Sequence, residues 1–429
     1  MWEMVFIINS TNDIIIDKVI RGGYIMKESR LTCTSCNKSY EKETSNLRCN
    51  TCNEPLELEE VKQGKINHGN ILTQTSLERY RDFYPYLNLD YLNQITLNEG
   101  FTSLNSSDVL AREFGIKNIY FKNETQNPTW SFKDRGTVTG VLRAIDLGFK
   151  KIGTVSTGNM ATSVAAYGSR ASLETYILVK AGIADEKIKP IAIYGPKLIE
   201  VDGDYSKLYD ESLAIGHENG IYFINSDVPY RIDGYKTMSF EICEQLDFKV
   251  PDYVIVPTSA GGNIRGIEKG FREFYKSGLI DKVPRMVVVQ AAGCSPIYKA
   301  FKDNKLKIEM IENPNTIAHA IENPYPPSGN QVLRMLEKTG GLAIAVSDDE
   351  ILIAQRKLAC LGLFVQPGSA TSLAAIERLY RENFLQHTDS IVCILTGAGL
   401  KYTAALEKHN LDVYKCKLED LNDFIKKSR

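Results

Sequence analysis

From about Leu97 onward, short apolar runs rich in β-branched and aromatic residues alternate with longer stretches of helical period, and this alternation constrains the fold more than any other feature of the chain. Strands are expected at Asn118–Lys122, Lys151–Val155, Thr175–Val179, Gly220–Asn225, Tyr253–Pro257, Met286–Gln290 and Ser390–Thr396. Several end in Gly, Ser or Thr and run directly into a helix, as in KIGTVSTGNMATSVAAYGSRA and YVIVPTSAGGNIRGIEKGFREFY. Such a chain builds α/β units around a mostly parallel sheet, with ligands bound where strand C-termini meet helix N-termini. Glu312–Asn330, rich in Asn, Pro and Gly, reads as a loop bordering that site.

Ahead of this body stands a different kind of signal. Of the nine cysteines, Cys33, Cys36, Cys49 and Cys52 fall in CTSCNKSYEKETSNLRCNTC, two C-x-x-C pairs separated by twelve residues. Each pair forms a knuckle that aims two thiolates at one tetrahedral ion, the pattern of a zinc ribbon. Two disulfides or four unrelated thiols are the alternative, and a reducing cytosol together with the regular spacing argues against both. Four cysteine ligands leave no open position, so the zinc is expected to be structural. The other five cysteines, Cys243, Cys294, Cys360, Cys393 and Cys416, are scattered and read as packing residues.

A chain of 429 residues with 51 Lys+Arg against 53 Asp+Glu has a formal net charge of −2, which offers no electrostatic case for coating nucleic acid or an anionic membrane. No apolar run approaches the ~20 residues of a membrane span, and Met1–Ile7 lack the features of a secretory signal. A cytoplasmic protein acting on a small molecule is expected, with no nucleic-acid and no membrane partner. Met26 begins MKESRLTC, and translation is expected to start there, leaving 1–25 as an N-terminal extension; an extra N-terminal strand is the alternative.

Three small-residue loops follow strands and open helices: Ser156–Asn159, Ser259–Asn263 and Thr396–Gly399. Each could offer backbone N–H groups to an anion, and none is a dinucleotide fingerprint or a P-loop. The segment Asn123–Gly136, NETQNPTWSFKDRG, places Lys133 between an aromatic residue and an Asp-Arg pair. In isolation such a lysine is a solvated side chain at a helix start. Its surroundings, Pro-Thr-x-Ser-Phe-Lys-Asp-Arg-Gly, resemble the cofactor-lysine motif of the threonine synthases, pyridoxal-phosphate enzymes of the tryptophan-synthase-β fold type. LNEGFTSL at Leu97–Leu104, STGN at Ser156–Asn159, NSDVPYRIDGYKT at Asn225–Thr237, TSAGGN at Thr258–Asn263 and LTGAGLK at Leu395–Lys401 are similar to further segments of that family, in its order.

The resemblance implies an α/β, two-lobed fold of type II with a small N-terminal zinc ribbon. It divides the chain into the extension 1–25, a ribbon over 26–62, a connector over 63–96, a small lobe over 144–239, and a large cofactor lobe from 97–143 and 240–429. It implies pyridoxal 5'-phosphate attached to Lys133, which also moves protons, with Phe132 as its apolar neighbour. Asn159 would meet the ring hydroxyl, and Ala260, Gly261, Gly262 and Asn263 the cofactor phosphate. Thr396 would face the pyridine nitrogen with a neutral hydroxyl. The implied reaction turns O-phospho-L-homoserine and water into L-threonine and phosphate. Ser156 and Thr157 would hold the substrate carboxylate side, and Asn225, Ser226 and Arg231 its phosphate.

Family members are commonly dimers, which makes a homodimer the expected assembly. Trp130, Ser103, Ala398 and Tyr402 depart from the family's Gly, Pro, His and Asp. They leave open a related enzyme, such as a threonine or serine ammonia-lyase or a β-replacing synthase using O-phosphoserine. A zinc-ribbon binding module on a non-catalytic scaffold is the alternative of another class.

Overall fold

The computed structural model describes residues 3–8, 14–21, 24–26, 30–40, 48–70, 72–203 and 205–427. The hydrophobic run YVIVP at Tyr253–Pro257 is buried at every position and forms the middle of a six-stranded sheet. Across that sheet the strands follow the order Leu342–Val346, Arg285–Ala291, Tyr253–Pro257, Ser390–Leu395, Asn118–Asn123 and Leu104–Ser106. All neighbours are parallel except the last pair. Such strands are covered by helices on both faces and read as continuous apolar runs.

The period of two is visible in what each residue touches. Val254, Val256 and Val288 join one core with the helices Lys133–Asp146, Gly262–Lys276 and Gly329–Thr339. Tyr253, Ile255 and Val287 join the opposite core with Asp348–Cys360 and Pro367–Arg381.

A second sheet is fully parallel, in the order Lys197–Val201, Glu174–Lys180, Lys151–Val155 and Ile221–Phe223. The helix Asn159–Arg170 follows its central strand, and Tyr205–Asn219 packs on its other face through Leu208. The two sheets share one core, since Ile152, Ile177 and Val179 of the smaller join Val254 and Val256 of the larger.

All seven expected strands are present, Lys151–Val155 and Tyr253–Pro257 with the expected bounds and the other five with shifted ends. The strand expected to run through Asn225 stops at Phe223, because Asn225 spends its side chain on hydrogen bonds to Val155 N and Ser212 Oγ and so fixes a loop. Lys197–Val201, Leu342–Val346 and Leu104–Ser106 were not expected. The first carries Lys and Glu at an exposed sheet edge and lacks the apolar run that marks a buried strand.

The cysteine segment folds into a three-stranded antiparallel sheet in the order Ser39–Tyr40, Leu31–Cys33 and Leu56–Leu58. Residues 41–47 lie outside the described residues. Leu31, Leu56 and Leu58 are buried in the same core as the helix Gly262–Lys276, so this sheet is fused to the α/β body. Glu3–Ile8, Ile14–Arg21 and Tyr24–Met26 pair as an antiparallel sheet of their own, the strand alternative for the first residues. No helix among the described residues is long and apolar enough to cross a membrane.

Candidate active site

A cavity of about 670 Å³ opens where strand C-termini of both sheets meet helix N-termini. Its wall includes Ser156 after Lys151–Val155, Ser226 after Ile221–Phe223, Thr258 after Tyr253–Pro257 and Thr396 after Ser390–Leu395. This is the location that a parallel α/β topology reserves for ligands. Ile317–Asn323 forms part of the rim, so the loop expected over Glu312–Asn330 does border the cavity, although its last residues enter the helix Gly329–Thr339.

Lys133 opens the helix Lys133–Asp146 on the cavity floor, and its two successors fasten that turn from behind. The Asp134 carboxylate accepts from Thr129 N at 2.7 Å, Thr129 Oγ1 at 2.6 Å and Ser163 Oγ at 2.6 Å. Arg135, fully enclosed, pairs with Glu124 at 2.6 Å and Glu241 at 2.7 Å. Phe132 N donates to Thr396 O at 3.1 Å and ties the lysine turn to the end of a central strand.

With its neighbours so occupied, Lys133 Nζ makes no hydrogen bond or ion pair among the described residues and lies 4.5 Å from the Phe132 ring centroid. Burial first, and the Arg231 guanidinium second, push its amine down from 10.5 to about 7. A lysine so placed is about half in its free-base form at pH 7, far more than an ordinary lysine, and that form is what a nucleophilic or proton-carrying amine requires.

Opposite it, Gly261 at φ +91° precedes the helix Gly262–Lys276. A Cβ on Gly261 would lie 2.9 Å from Val332 Cγ2, and one on Gly262 would lie 2.9 Å from Ser226 O. No other residue type fits this turn, and the first amides of the helix have no intrahelical acceptor. Asn263 is buried, yet neither its Nδ2 nor its Oδ1 has a hydrogen-bond partner among the described residues. An unpaired amide of that kind is costly unless a ligand satisfies it, and a helix start with a positive dipole end suits a phosphate. The donor set therefore fits pyridoxal phosphate: a neutral amine, an amide cradle and an orphaned carboxamide.

Three polar side chains of the wall, Thr396, Asn159 and Gln366, are held by hydrogen bonds, Thr396 by the buried Ser369 behind it. Thr396 Oγ1 lies 2.8 Å from Ser369 Oγ, and Asn159 Nδ2 donates to Gln366 Oε1 at 2.8 Å. Lys401 Nζ donates to Thr129 O at 2.6 Å, and burial holds its amine down at about 8. Gln366 and Ser369 were invisible to sequence reading because they sit in the unremarkable run VQPGSA. Lys401 lay inside LTGAGLK, and only its position in the cavity singles it out.

The site residues expected from sequence divide into two groups. Lys133, Phe132, Ser156, Thr157, Asn159, Ser226, Ala260, Gly261, Gly262, Asn263 and Thr396 all line the cavity. Asn225 and Arg231 lie one layer beneath its wall, both fully buried. Arg231 donates through Nε to Tyr235 Oη at 2.9 Å and through Nη1 to Ile224 O at 3.1 Å, while its Nη2 has no hydrogen-bond partner among the described residues.

Trp130, at the cavity mouth, stands at φ +62° and is 52 % exposed. That backbone conformation explains why glycine is the ordinary residue at this point of the motif. Neighbouring bonds hold it there: Trp130 N donates to Asn127 O at 2.7 Å and Ala398 N donates to Trp130 O at 3.0 Å.

The four ribbon cysteines come together independently of the cavity. Their sulfurs all lie within 4.8 Å of one another, with Cys33 to Cys52 at 3.4 Å and Cys36 to Cys49 at 3.6 Å. Each knuckle ends on an asparagine in the left-handed region, Asn37 at φ +59° and Asn53 at φ +54°, a conformation asparagine tolerates. Four converging thiols fit a closed tetrahedral metal site.

Comparison with known proteins bears on the same residues. The model of the family described as pyridoxal-phosphate dependent enzyme matches residues 95–397. A threonine synthase of Methanocaldococcus jannaschii is 40% identical over 375 residues, covering 86% of this chain and 92% of that protein. One of Halalkalibacterium halodurans is 36% identical, covering 76% and 89%. Among solved structures, maize serine racemase superposes with a TM-score of 0.61 at 23% identity, covering 72% of this chain and 91% of the racemase. A fungal L-serine ammonia-lyase from Rhizomucor miehei gives 0.62 at 21%, covering 72% and 96%. At those identities the structural likeness speaks to the fold.

Proposed function

The chain belongs to the threonine synthases, within the pyridoxal-phosphate dependent enzyme family, and from that premise we propose how its cavity converts O-phospho-L-homoserine and water into L-threonine and phosphate. The observation that carries this reading is the free amine of Lys133, held near neutral, facing the orphaned Asn263 across one cavity. Pyridoxal phosphate, when bound, supplies the electron sink that acidifies the substrate's α and β hydrogens.

The protein's own residues do the rest. Lys133 Nζ holds the cofactor at rest and then carries protons on and off the substrate carbons, a task for which a depressed pKa suits it. The amides of Ala260–Asn263 with the Asn263 carboxamide bind the cofactor phosphate. Asn159, oriented by Gln366, meets the ring hydroxyl. Thr396, oriented by Ser369, offers the pyridine nitrogen a hydroxyl, a partner that does not force it to protonate.

Ser156 and Thr157 hold the substrate carboxylate. Asn225, Ser226 and Arg231 serve the substrate phosphate, Ser226 from the wall and the other two from beneath it. Arg231 Nη2, buried without a partner among the described residues, supports that role, because an anion would offset the desolvation of the guanidinium. Excluding bulk water until the hydration step falls to the rim around Trp130 and Ile317–Asn323.

The same reading places zinc in the four-cysteine cluster, the chain in the cytoplasm and a homodimer as its assembly. It divides the α/β body into a small lobe over 144–239 and a large lobe on either side of it. The test is phosphate release from O-phospho-L-homoserine with added pyridoxal phosphate, for wild type and Lys133→Ala. Phosphate release abolished in the variant supports the reading; oxoacid release from threonine without phosphate release from phosphohomoserine overturns it.

A further inference from the structure

Arg48 immediately precedes the metal-cluster residue Cys49, and its guanidinium leaves the ribbon to reach the α/β body. Its Nη1 stays home, donating to Asn53 O at 2.9 Å. Its Nη2 forks outward, donating to Asp227 Oδ2 at 2.8 Å and to Pro327 O at 3.2 Å. Both acceptors, one a carboxylate and one a backbone carbonyl, belong to segments that adjoin the cavity. Asp227, 1% exposed, accepts through its other oxygen from Tyr209 Oη, and Tyr209 Oη in turn lies 3.1 Å from Ser226 Oγ. Tyr209 and Ser226 are both on the cavity wall. Pro327 precedes Ser328, whose N–H donates to Ala260 O at 3.1 Å and whose Cβ blocks the space beside Gly261.

One guanidinium thus braces two cavity loops, the one carrying Ser226 and the one carrying Ala260–Asn263. We infer that Arg48 is a positioning residue for the anion-binding half of the active site, acting through Asp227 and Tyr209 on Ser226 and through Pro327 on the Ala260 turn. The ribbon then helps to position the active site, because the cysteine knuckle that begins at Cys49 fixes where Arg48 stands. The physical reason is desolvation. Asp227 is a buried carboxylate whose one ion pair among the described residues is with Arg48 of the ribbon, and without it Tyr209 faces an uncompensated charge. The two loops meet at Gly262, where a Cβ would lie 2.9 Å from Ser226 O, so a shift of one is felt by the other.

This inference rests on the assignment of Ser226 to the substrate phosphate, and the experiment separates the two. Steady-state kinetics on phosphohomoserine are measured for the holoenzyme of wild type, Arg48→Ala, Arg48→Lys, Tyr209→Phe and the double variant Arg48→Ala/Tyr209→Phe. Inorganic phosphate binding to each is measured by calorimetry and metal content by mass spectrometry. The expected result is KM raised about tenfold in Arg48→Ala with kcat within about twofold, phosphate affinity weakened in parallel, and partial recovery in Arg48→Lys. The double variant should be no worse than the more affected single one, because the residues act in series.

Wild-type KM and phosphate affinity in Arg48→Ala overturn the inference, as do fully additive effects in the double variant. If Arg48→Ala loses its metal, Tyr209→Phe carries the test alone, and wild-type behaviour there overturns it. Failure of wild type to turn over phosphohomoserine sinks the substrate assignment instead, and the bracing by Arg48 is then read from phosphate affinity.

Discussion

Asn159 Nδ2 donates to Gln366 Oε1 at 2.8 Å, joining the first residue of a helix after the smaller sheet to the residue before a helix under the larger one. A Cβ on the adjacent Gly397 would come within 2.8 Å of Gln366 Oε1 and 3.2 Å of Asn159 Nδ2, so the glycine makes room for the bond. The carboxamide of Asn159 is thereby held in one orientation on the cavity wall. Gln366→Ala should release it and weaken cofactor binding several-fold, read by titrating the apoprotein with pyridoxal phosphate and following the absorbance band. Gln366→Glu keeps an acceptor and should retain most of the affinity.

The low pKa of Lys133 sets a pH dependence for cofactor uptake. Only the neutral amine reacts, and burial with the nearby Arg231 brings its pKa to about 7. The rate at which apoprotein takes up pyridoxal phosphate should climb from about pH 6 and level off above about pH 8, whereas an ordinary lysine would still gain at about pH 10. Lys133→Ala should show neither the absorbance band nor phosphate release.

Glu241 makes the body sensitive to acid. Burial alone would raise its carboxyl, but Arg135 and Lys122, with the latter at 2.7 Å, hold it well below the ordinary 4.5. A depressed carboxylate contributes stability above its unfolded pKa and loses it as pH falls, so thermal stability should drop from about pH 4.5 downward. Glu241→Gln leaves Arg135 and Lys122 enclosed with one carboxylate fewer and should cost about 3–5 kcal/mol at neutral pH, measured by denaturant unfolding.

The cysteine cluster predicts a metal stoichiometry. Purified protein should carry one zinc per chain, and cobalt exchanged into it should give the thiolate charge-transfer absorption of a four-sulfur site. Cys36→Ala should lose the metal. Because Leu31, Leu56 and Leu58 share a core with the helix Gly262–Lys276, metal loss should also lower the melting temperature of the whole body.

Trp130→Gly tests the mouth of the cavity. Relief of about 1 kcal/mol of left-handed strain is offset by a similar loss of chain rigidity, so the melting temperature should stay within about 2 °C of wild type. The half-exposed ring is gone, however, and hydroxylamine should strip the bound cofactor several-fold faster.

The strand–turn–helix alternation, the buried central strands and the paired cysteine knuckles were legible in the sequence, because each is a local pattern whose period or spacing carries its own physical reason; the lysine motif was legible through its resemblance to a family. YVIVP can hardly be anything but a strand buried on both faces, and two C-x-x-C pairs place four thiols on two tight turns wherever the chain goes. What the tertiary structure alone decided was long-range company. The exposed edge strand Lys197–Val201 exists because Glu174–Lys180 is there to pair with it, not because of its composition. Gln366 and Ser369 matter because the fold sets them against Asn159 and Thr396. Asn225 and Arg231 share the conspicuous segment with Ser226, yet packing puts only Ser226 on the wall. Arg48 reads as one more charged residue beside a cysteine until Asp227, 179 positions away, accepts its hydrogen bond. A hydrogen bond between distant residues depends on how helices and sheets pack, and no window of sequence contains that geometry.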